Sequence, residues 1–203
     1  MGEPESHSIS EEHLEVIICV KKNKLQHNIW RGIYRTTKHM KKLIVVRHAK
    51  SSWADLGQKD FDRPLNDRGN NDAPRMAQKL IAEGVKIDAF VSSSAKRARQ
   101  TCEAFAKEYG RDKDEIIYFD RLYHAPSQIY HDVVSEMNNN RETIAIFGHN
   151  TGISDFVNTL HKNDMGFELP TCAIFAVKAD IEKWEDFKKA DKKLLFFKYP
   201  KQG

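Results

Sequence analysis

From Leu43 to the C-terminus, short apolar runs alternate with segments whose apolar residues recur at helical spacing. Short apolar runs bounded by turn residues are typical of buried strands. We predict strands at 43–46, 87–91, 116–119, 143–147, 172–178 and 194–199. Because strands alternate with helices, the pattern predicts an α/β protein: a three-layer α/β/α sandwich around a mainly parallel sheet.

The segments between these strands carry apolar residues on one helical face. The faces consist of Ala73, Met76, Ala77, Leu80 and Ile81; Ala98, Thr101, Cys102, Phe105 and Tyr109; Ile129, Val133, Val134 and Met137; and Ile153, Phe156, Val157 and Leu160. Gly84 marks the end of the first helix. Pro74 places the first turn of that helix near this residue, because proline lacks the N–H that a helix interior uses.

Residues 1–39 differ from the rest of the chain. They are polar, and only the run from Leu14 to Val20 is apolar enough for a short strand or helical turn. Met40 then directly precedes the first predicted strand. We expect residues 1–39 to be an N-terminal extension outside the fold and residues 40–203 to form one domain. A docking arm is the alternative for the extension.

The composition narrows the possible functions. The 203 residues carry a net charge of +4, but basic and acidic residues are interleaved, so an anionic partner fits and nucleic acid is not expected. No apolar run approaches the ~18 residues of a membrane helix. Cys19, Cys102 and Cys172 are widely spaced, which fits a reducing cytoplasm and offers no disulfide framework. The histidines lack metal-ligand spacing, so neither a metal nor another cofactor is expected.

Chemically active residues follow three of the predicted strands. Arg47-His48 follows the first strand, Arg97 lies in the run 92–101 after the second, and Gly148-His149-Asn150 follows a later one. Open α/β sheets place their chemistry at these strand ends. Arginine binds phosphate oxygens bidentately, and a neutral imidazole is a nucleophile near neutral pH. The set therefore fits phosphoryl transfer without a metal, whereas an Arg-His pair alone is more typical of a charged loop and a Gly-His-Asn run alone of a simple turn.

These motifs resemble the histidine phosphatase superfamily, whose signature is an Arg-His pair after the first strand, a later Arg before a helix, and a late Gly-His. The runs 47–53 and 62–69 are most similar to its SixA-type phosphohistidine phosphatase branch. The resemblance covers about Lys42 to Leu160. It implies a phosphoglycerate mutase-like fold and a phosphatase that works through a covalent phospho-His48 intermediate.

The resemblance also implies roles for individual residues. Arg47, Arg97 and His149 would bind the phosphate around the nucleophile. Ser51, which matches a serine of the family's first motif, is a further phosphate-binding candidate. For Arg63 two roles are open, binding phosphate at the mouth of the site or pairing with Asp60 or Asp62. Trp53, Phe61 and Tyr123 are candidates for the walls of the pocket.

The departures from the family pattern concern the substrate. Ala49 and Lys50 replace the Gly and Glu of the mutase motif, which opposes a sugar-phosphate mutase. The mutase branch has a general-acid glutamate in an Arg-Leu-Asn-Glu run, whereas the corresponding run, 121–124, ends in His124. Either His124, Asp120 or water protonates the leaving group, or no strong acid is needed. An imidazole leaving group, with an ordinary pKa of about 6.5, requires little protonation, so the run favours phosphohistidine.

The expected protein is thus a cytoplasmic, metal-independent phosphatase that acts on phosphohistidine in a signalling protein. One alternative is a phosphomonoesterase with broad specificity for small phosphorylated molecules. The other is a phosphate-recognising interaction module without turnover, which the intact nucleophile opposes.

Overall fold

The structure, a computed structural model, describes residues 40–55, 57–160, 166 and 168–202. The expectations for residues 1–39, including Cys19, lie outside the described residues. No described helix is long and apolar enough to cross a membrane.

The described residues form a sheet of six strands. The strands are β1 (Met40–Arg47), β2 (Ala89–Ser93), β3 (Ile117–Phe119), β4 (Thr143–Gly148), β5 (Ile174–Asp180) and β6 (Lys192–Lys198). Their order in the sheet is β3-β2-β4-β1-β5-β6. The strands β1 to β4 are parallel, while β5 is antiparallel to β1 and to β6. The predicted α/β fold is confirmed, and the sheet is mixed because of its last two strands.

Helices cover both faces of this sheet. The α-helices in the described part of the chain are α1 (Asp67–Ala82), α2 (Lys96–Glu108), α3 (Ser127–Ser135) and α4 (Gly152–Thr159). Side chains of a strand alternate between its faces. Accordingly Ile44 and Val46 of β1 pack in one core with α1 and α2, while Leu43 and Val45 pack in the other with α3 and α4. Three layers result, as predicted.

Two predictions for the first helix are wrong. It begins at Asp67, so Pro74 lies in its interior and not in its first turn. The start is set by Asn66, whose side chain accepts a hydrogen bond from the Gly69 N–H at 3.0 Å and caps the helix. Ile81 was placed on the apolar face, but it is 40% exposed. The buried face therefore ends at Leu80.

The start of α1 also supports the segment after β1. A Cβ atom at Gly69 would lie 2.1 Å from the carbonyl oxygen of Lys50, so only glycine allows this approach. The Asn66 N–H donates to the same carbonyl at 3.0 Å. Helix α1 thus fixes the backbone two residues beyond His48.

Candidate active site

The carboxyl ends of three neighbouring strands bring the predicted motifs together. Since β4 lies between β1 and β2, Arg47-His48 and Gly148-His149 extend from adjacent strands, and Ser93 ends the next. The His48 N–H donates to the Gly148 carbonyl at 3.0 Å. The imidazole rings of His48 and His149 are 5.1 Å apart.

The hydrogen bonds of His48 define its protonation state. Its Nδ1 lies 2.7 Å from the Ala49 carbonyl oxygen, which can only accept, so Nδ1 carries the hydrogen. Its Nε2 accepts from Arg97 Nε at 3.3 Å and so keeps a lone pair. Burial, and then the charges of Arg97, Arg47 and Arg63, lower the pKa of His48 to about 3, although the Ala49 bond acts in the opposite direction. His48 is therefore neutral at neutral pH, with Nε2 as its nucleophilic atom.

His149 is buried and is held by two hydrogen bonds. Its Nε2 lies 2.9 Å from the Ser93 hydroxyl, and its backbone N–H donates to the Tyr130 hydroxyl at 3.1 Å. Tyr130 fits only because residue 148 is glycine, where a Cβ would lie 2.1 Å from the tyrosine hydroxyl oxygen. Burial, followed by the neighbouring His48 and Arg97, lowers the pKa of His149 to about 2. The ring is therefore neutral in the free site.

Two arginines are fixed by carbonyl oxygens beside the histidines. Arg97 is 3% exposed, and its Nη1 donates to the Asp60 carbonyl at 2.6 Å while its Nη2 donates to Asp60 Oδ2 at 3.0 Å. Arg47 Nη1 donates to the Leu169 carbonyl at 2.5 Å. Burial, and to a smaller extent the charge of Arg97, lowers the pKa of Arg47, while Glu168 acts to raise it. Both guanidinium groups are thus preorganised beside His48.

Arg63 pairs with Asp60, one of the two roles predicted for it. Its Nη2 is 2.9 Å from Asp60 Oδ1, and its guanidinium lies 3.6 Å from the centre of the Trp53 ring. Its Nε and Nη1 are buried without a hydrogen-bond partner. The pairing therefore leaves two donors of Arg63 available for an anion. Ser51 is buried and forms an isolated β-bridge with Leu65, which links the loop after β1 to the segment before α1.

Unsatisfied polar atoms cluster in this site. Arg47 Nε, Arg63 Nε and Nη1, and His149 Nδ1 are all buried and lack a partner. Buried polar groups are normally hydrogen-bonded, because an unpaired one costs about 1–3 kcal/mol. A ring of arginine donors around a nucleophilic nitrogen is suited to a tetrahedral oxyanion.

The two candidate general acids lie in different surroundings. The Asp120 carboxylate accepts a hydrogen bond from the Ser94 hydroxyl. His124 Nε2 is 3.5 Å from Asp60 Oδ2, and its ring centre is 4.1 Å from that of Tyr123. The Tyr123 hydroxyl donates to the same carboxylate at 2.8 Å. Thus His124, and not Asp120, joins the Asp60 and Arg97 side of the site.

Several residues that support the site were given no role from the sequence. The Ala49 N–H donates to Thr101 Oγ1 at 3.0 Å, and that hydroxyl donates to the Arg97 carbonyl at 2.7 Å. The Leu65 N–H donates to Gln100 Oε1 at 2.9 Å. Gln100 and Thr101 are three and four residues after Arg97, so their helical spacing could have indicated a shared face.

Three other supporting residues were missed for a different reason. Asp60 was considered only as a partner for Arg63, although it also accepts from Arg97 and Tyr123. Ser93 and Tyr130, which hold His149, were not singled out. Neither periodicity nor motif spacing points to these three, because each meets its partner only in the folded chain.

Fold and site together define an α/β phosphatase. Residues 43–125 match the sequence model of the histidine phosphatase superfamily (branch 1). The resemblance drawn from the motifs is therefore confirmed.

Solved structures extend the match over most of the chain. A protein from Agrobacterium tumefaciens assigned as the phosphohistidine phosphatase SixA is 27% identical, with a TM-score of 0.67 over 79% of this chain and 98% of that one. A second SixA assignment, from Nakamurella multipartitia, is 22% identical, with a TM-score of 0.69 over 80% of this chain and 97% of that one. The Nakamurella multipartitia structure supports the fold alone. The Agrobacterium tumefaciens structure, together with the family match, supports a phosphatase of the hydrolase class.

Sequence relatives cover different shares of their own chains. A chloroplast protein of Arabidopsis thaliana is 28% identical over 159 residues, 74% of this chain and 72% of the relative. A Mycobacterium tuberculosis protein is 36% identical over 104 residues, 51% of this chain and 62% of its own. The mitochondrial serine/threonine-protein phosphatase Pgam5 of Drosophila ananassae is 30% identical over 80 residues, 39% of this chain and only 27% of the fly protein.

Proposed function

We propose that this protein hydrolyses phosphohistidine without a metal, through a covalent phosphate on His48. The observation that carries the proposal is the state of His48: the Ala49 carbonyl holds Nδ1–H at 2.7 Å, and Nε2 lies among buried arginine donors. A nucleophile in this tautomer needs no deprotonation before it attacks.

Four residues of the site have a part in the proposed reaction. His48 Nε2 attacks phosphorus, and a nitrogen–phosphorus bond forms as the leaving group departs with its bonding electrons. Arg47, Arg63 and Arg97 bind the equatorial oxygens, whose charge is largest in the transition state. The incoming phosphate replaces Nε2 as the acceptor for Arg97 Nε. Water then attacks phosphorus, and phosphate leaves as Nε2 recovers its lone pair.

Fixed cations make a metal unnecessary in this proposal. Positively charged donors supply the stabilisation that Mg²⁺ or Zn²⁺ gives in other phosphatases. Within the described residues, no group of three or more His, Cys, Asp or Glu side chains is arranged to hold a metal ion. The cytoplasmic location expected from the cysteine pattern stays a prediction.

The choice of phosphohistidine depends on the leaving group. No carboxylic acid occupies the end of the run 121–124, where the mutase branch has its glutamate. Imidazole leaves more readily than an alkoxide because of its lower pKa. The relative from Agrobacterium tumefaciens, assigned as a phosphohistidine phosphatase, points to the same substrate. A phosphorylated protein is thus the proposed partner, and a small phosphorylated molecule is the alternative.

Trapping the intermediate tests the mechanism. Incubation with a labelled phosphohistidine protein, followed by rapid quenching, should give a phosphoenzyme that is stable in base and labile in acid. His48→Ala should give no label and lower kcat by at least about 10³-fold. His131→Asn is the matched control, because His131 is buried elsewhere, bound to Thr159 at 2.9 Å. A label on serine, or none in the wild type, would refute the mechanism.

Substrate comparison and chelation test the finer parts of the proposal. The kcat/KM should be at least about 10²-fold higher for a phosphohistidine peptide than for a phosphoserine peptide of the same sequence. EDTA should leave both values unchanged. Equal rates on the two peptides would favour the phosphomonoesterase, and activity that EDTA removes and Zn²⁺ or Mn²⁺ restores would refute metal independence.

A further inference from the structure

We infer that His124, oriented by Asp60, donates a proton to the leaving group and then accepts one from the attacking water. The inference rests on the proposed phospho-His48 intermediate and deepens it, because the sequence left the proton donor open among several groups.

Asp60 is a fixed partner for the His124 ring. Its carboxylate is bound by Arg97 Nη2 at 3.0 Å, Arg63 Nη2 at 2.9 Å and the Tyr123 hydroxyl at 2.8 Å. His124 Nε2 lies 3.5 Å from the same carboxylate, at ion-pair distance. Such catalytic contacts are often long without substrate and tighten when it binds. A carboxylate on one imidazole nitrogen stabilises the imidazolium and directs the other nitrogen outward.

The exposure of His124 also suits a group that protonates a departing molecule. Its side chain is 60% exposed, whereas His48 and His149 are buried. Its ring centre is nevertheless only 6.4 Å from that of His149. Arg97 links the exposed His124 side of the site to the buried His48, because it contacts both Asp60 and His48 Nε2. His124 therefore lies closer to solvent than His48 and His149, and we place the departing group on this exposed side.

The backbone at residue 124 supports a functional role. His124 has a φ of 51°, in the left-handed region that residues other than glycine rarely adopt. Residues held in such conformations cost about 1–3 kcal/mol and concentrate at active sites. The fold holds a histidine there, against Tyr123 and Asp60, although glycine would be less strained.

The other candidate has a different environment. The Asp120 carboxylate accepts a hydrogen bond from Ser94, and its contacts among the described residues do not include Asp60, His48 or His149. The groups that face His124 are Asp60, Tyr123 and His149. Of the two candidate acids, His124 is therefore the one that lies against the Asp60 carboxylate and beside His149.

Over the two steps of the reaction, His124 gives up one proton and regains one. In the first, His48 Nε2 bonds to phosphorus, the leaving atom keeps the electrons of its broken bond, and it takes the proton from Nδ1 of the His124 imidazolium. Nε2–H of His124 stays on Asp60. In the second step, water attacks phosphorus, neutral His124 Nδ1 accepts the water proton, and the nitrogen–phosphorus electrons return to His48. The enzyme is then as it began.

A series of aryl phosphates tests this role. His124→Gly is the variant of choice, because glycine adopts a positive φ without strain and should therefore retain the fold. For dinitrophenyl phosphate, whose leaving group needs no proton, kcat/KM should fall less than about threefold. For phenyl phosphate it should fall on the order of 10²-fold, so the plot of log kcat/KM against leaving-group pKa becomes steeper. Added imidazole should restore the phenyl phosphate rate.

The controls separate this inference from the proposed function. Asp120→Asn should keep the wild-type slope. A wild-type slope in His124→Gly, or no response to imidazole, would overturn the inference, and a steeper slope in Asp120→Asn would assign the role to that carboxylate instead. Base-stable labelling of His48 in His124→Gly shows that the nucleophilic step survives. Absence of that label in the wild type would instead refute the proposed function.

Discussion

The two central histidines show how burial sets the protonation state of the proposed catalytic groups. His48 and His149 lie within reach of arginines and have little contact with water, so both pKa values fall, to about 3 and about 2. Burial is the larger cause for each. A neutral His48 can act as the nucleophile of the proposed reaction, and the charge of a bound phosphate would favour protonation of His149.

These lowered pKa values predict how stability depends on pH. The folded pKa lies below the unfolded value of about 6.5, so below pH 6.5 the unfolded chain binds more protons and stability falls as pH falls. For His149 this loss continues towards pH 2, at up to about 1.4 kcal/mol per pH unit. Urea unfolding of His149→Gln at pH 7.5, 6 and 5 should show a shallower loss than the wild type. Parallel curves would contradict the neutral buried state.

At the scale of elements, strand ends and helix starts meet at the site. Helix α2 supplies Arg97 and, one turn later, the Thr101 hydroxyl that binds Ala49. Helix α1 supports Lys50 through Gly69. The loop after β1 is thus fixed on two sides, and His48 keeps its orientation without substrate.

Pro74 in the interior of α1 predicts a stabilising substitution. The helix runs from Asp67 to Ala82, and proline removes one backbone hydrogen bond from it. Pro74→Ala should raise the free energy of unfolding by about 1–3 kcal/mol without changing kcat/KM, measured by urea unfolding and turnover. Pro64→Ala, in the extended segment before α1, is the comparison and should give no such gain. A loss of stability in Pro74→Ala would mean that α1 needs the proline for its packing.

For the whole molecule, residues 40–202 contain the sheet, its four described helices and every site residue named above. The groups proposed to bind phosphate come from positions 47 to 149, and the last two strands complete the sheet beside β1. The fold and the site thus share one continuous stretch of the chain.

This distribution predicts the effect of a truncation. A chain that begins at Met40 should keep its melting temperature within about 4 °C and its kcat/KM within about twofold. Thermal unfolding and turnover of a phosphohistidine peptide would measure both. A fall of more than about 8 °C would show that residues 1–39 stabilise the domain, and a selective rise in KM for a protein substrate would identify them as a docking arm.

The sequence alone predicted the strands, most helix faces and the meeting of Arg47, His48, Arg97 and His149 at one place in the fold. It could do so because strand and helix periodicities are local, and because a sheet gathers the residues that follow its parallel strands. The interior position of Pro74 was missed because the Asn66 cap outweighed the local preference of proline.

Only the tertiary structure decided how those residues are held. Asp60 and Tyr123 are 63 residues apart and Ser93 and His149 are 56 apart, yet each pair shares a hydrogen bond. The Nδ1–H form of His48 depends on where the Ala49 carbonyl points, and the pairing of Arg63 depends on a short turn at Asp60. Hydrogen bonds between distant residues leave no period in a sequence, because they form only where packed elements bring two side chains within about 3 Å.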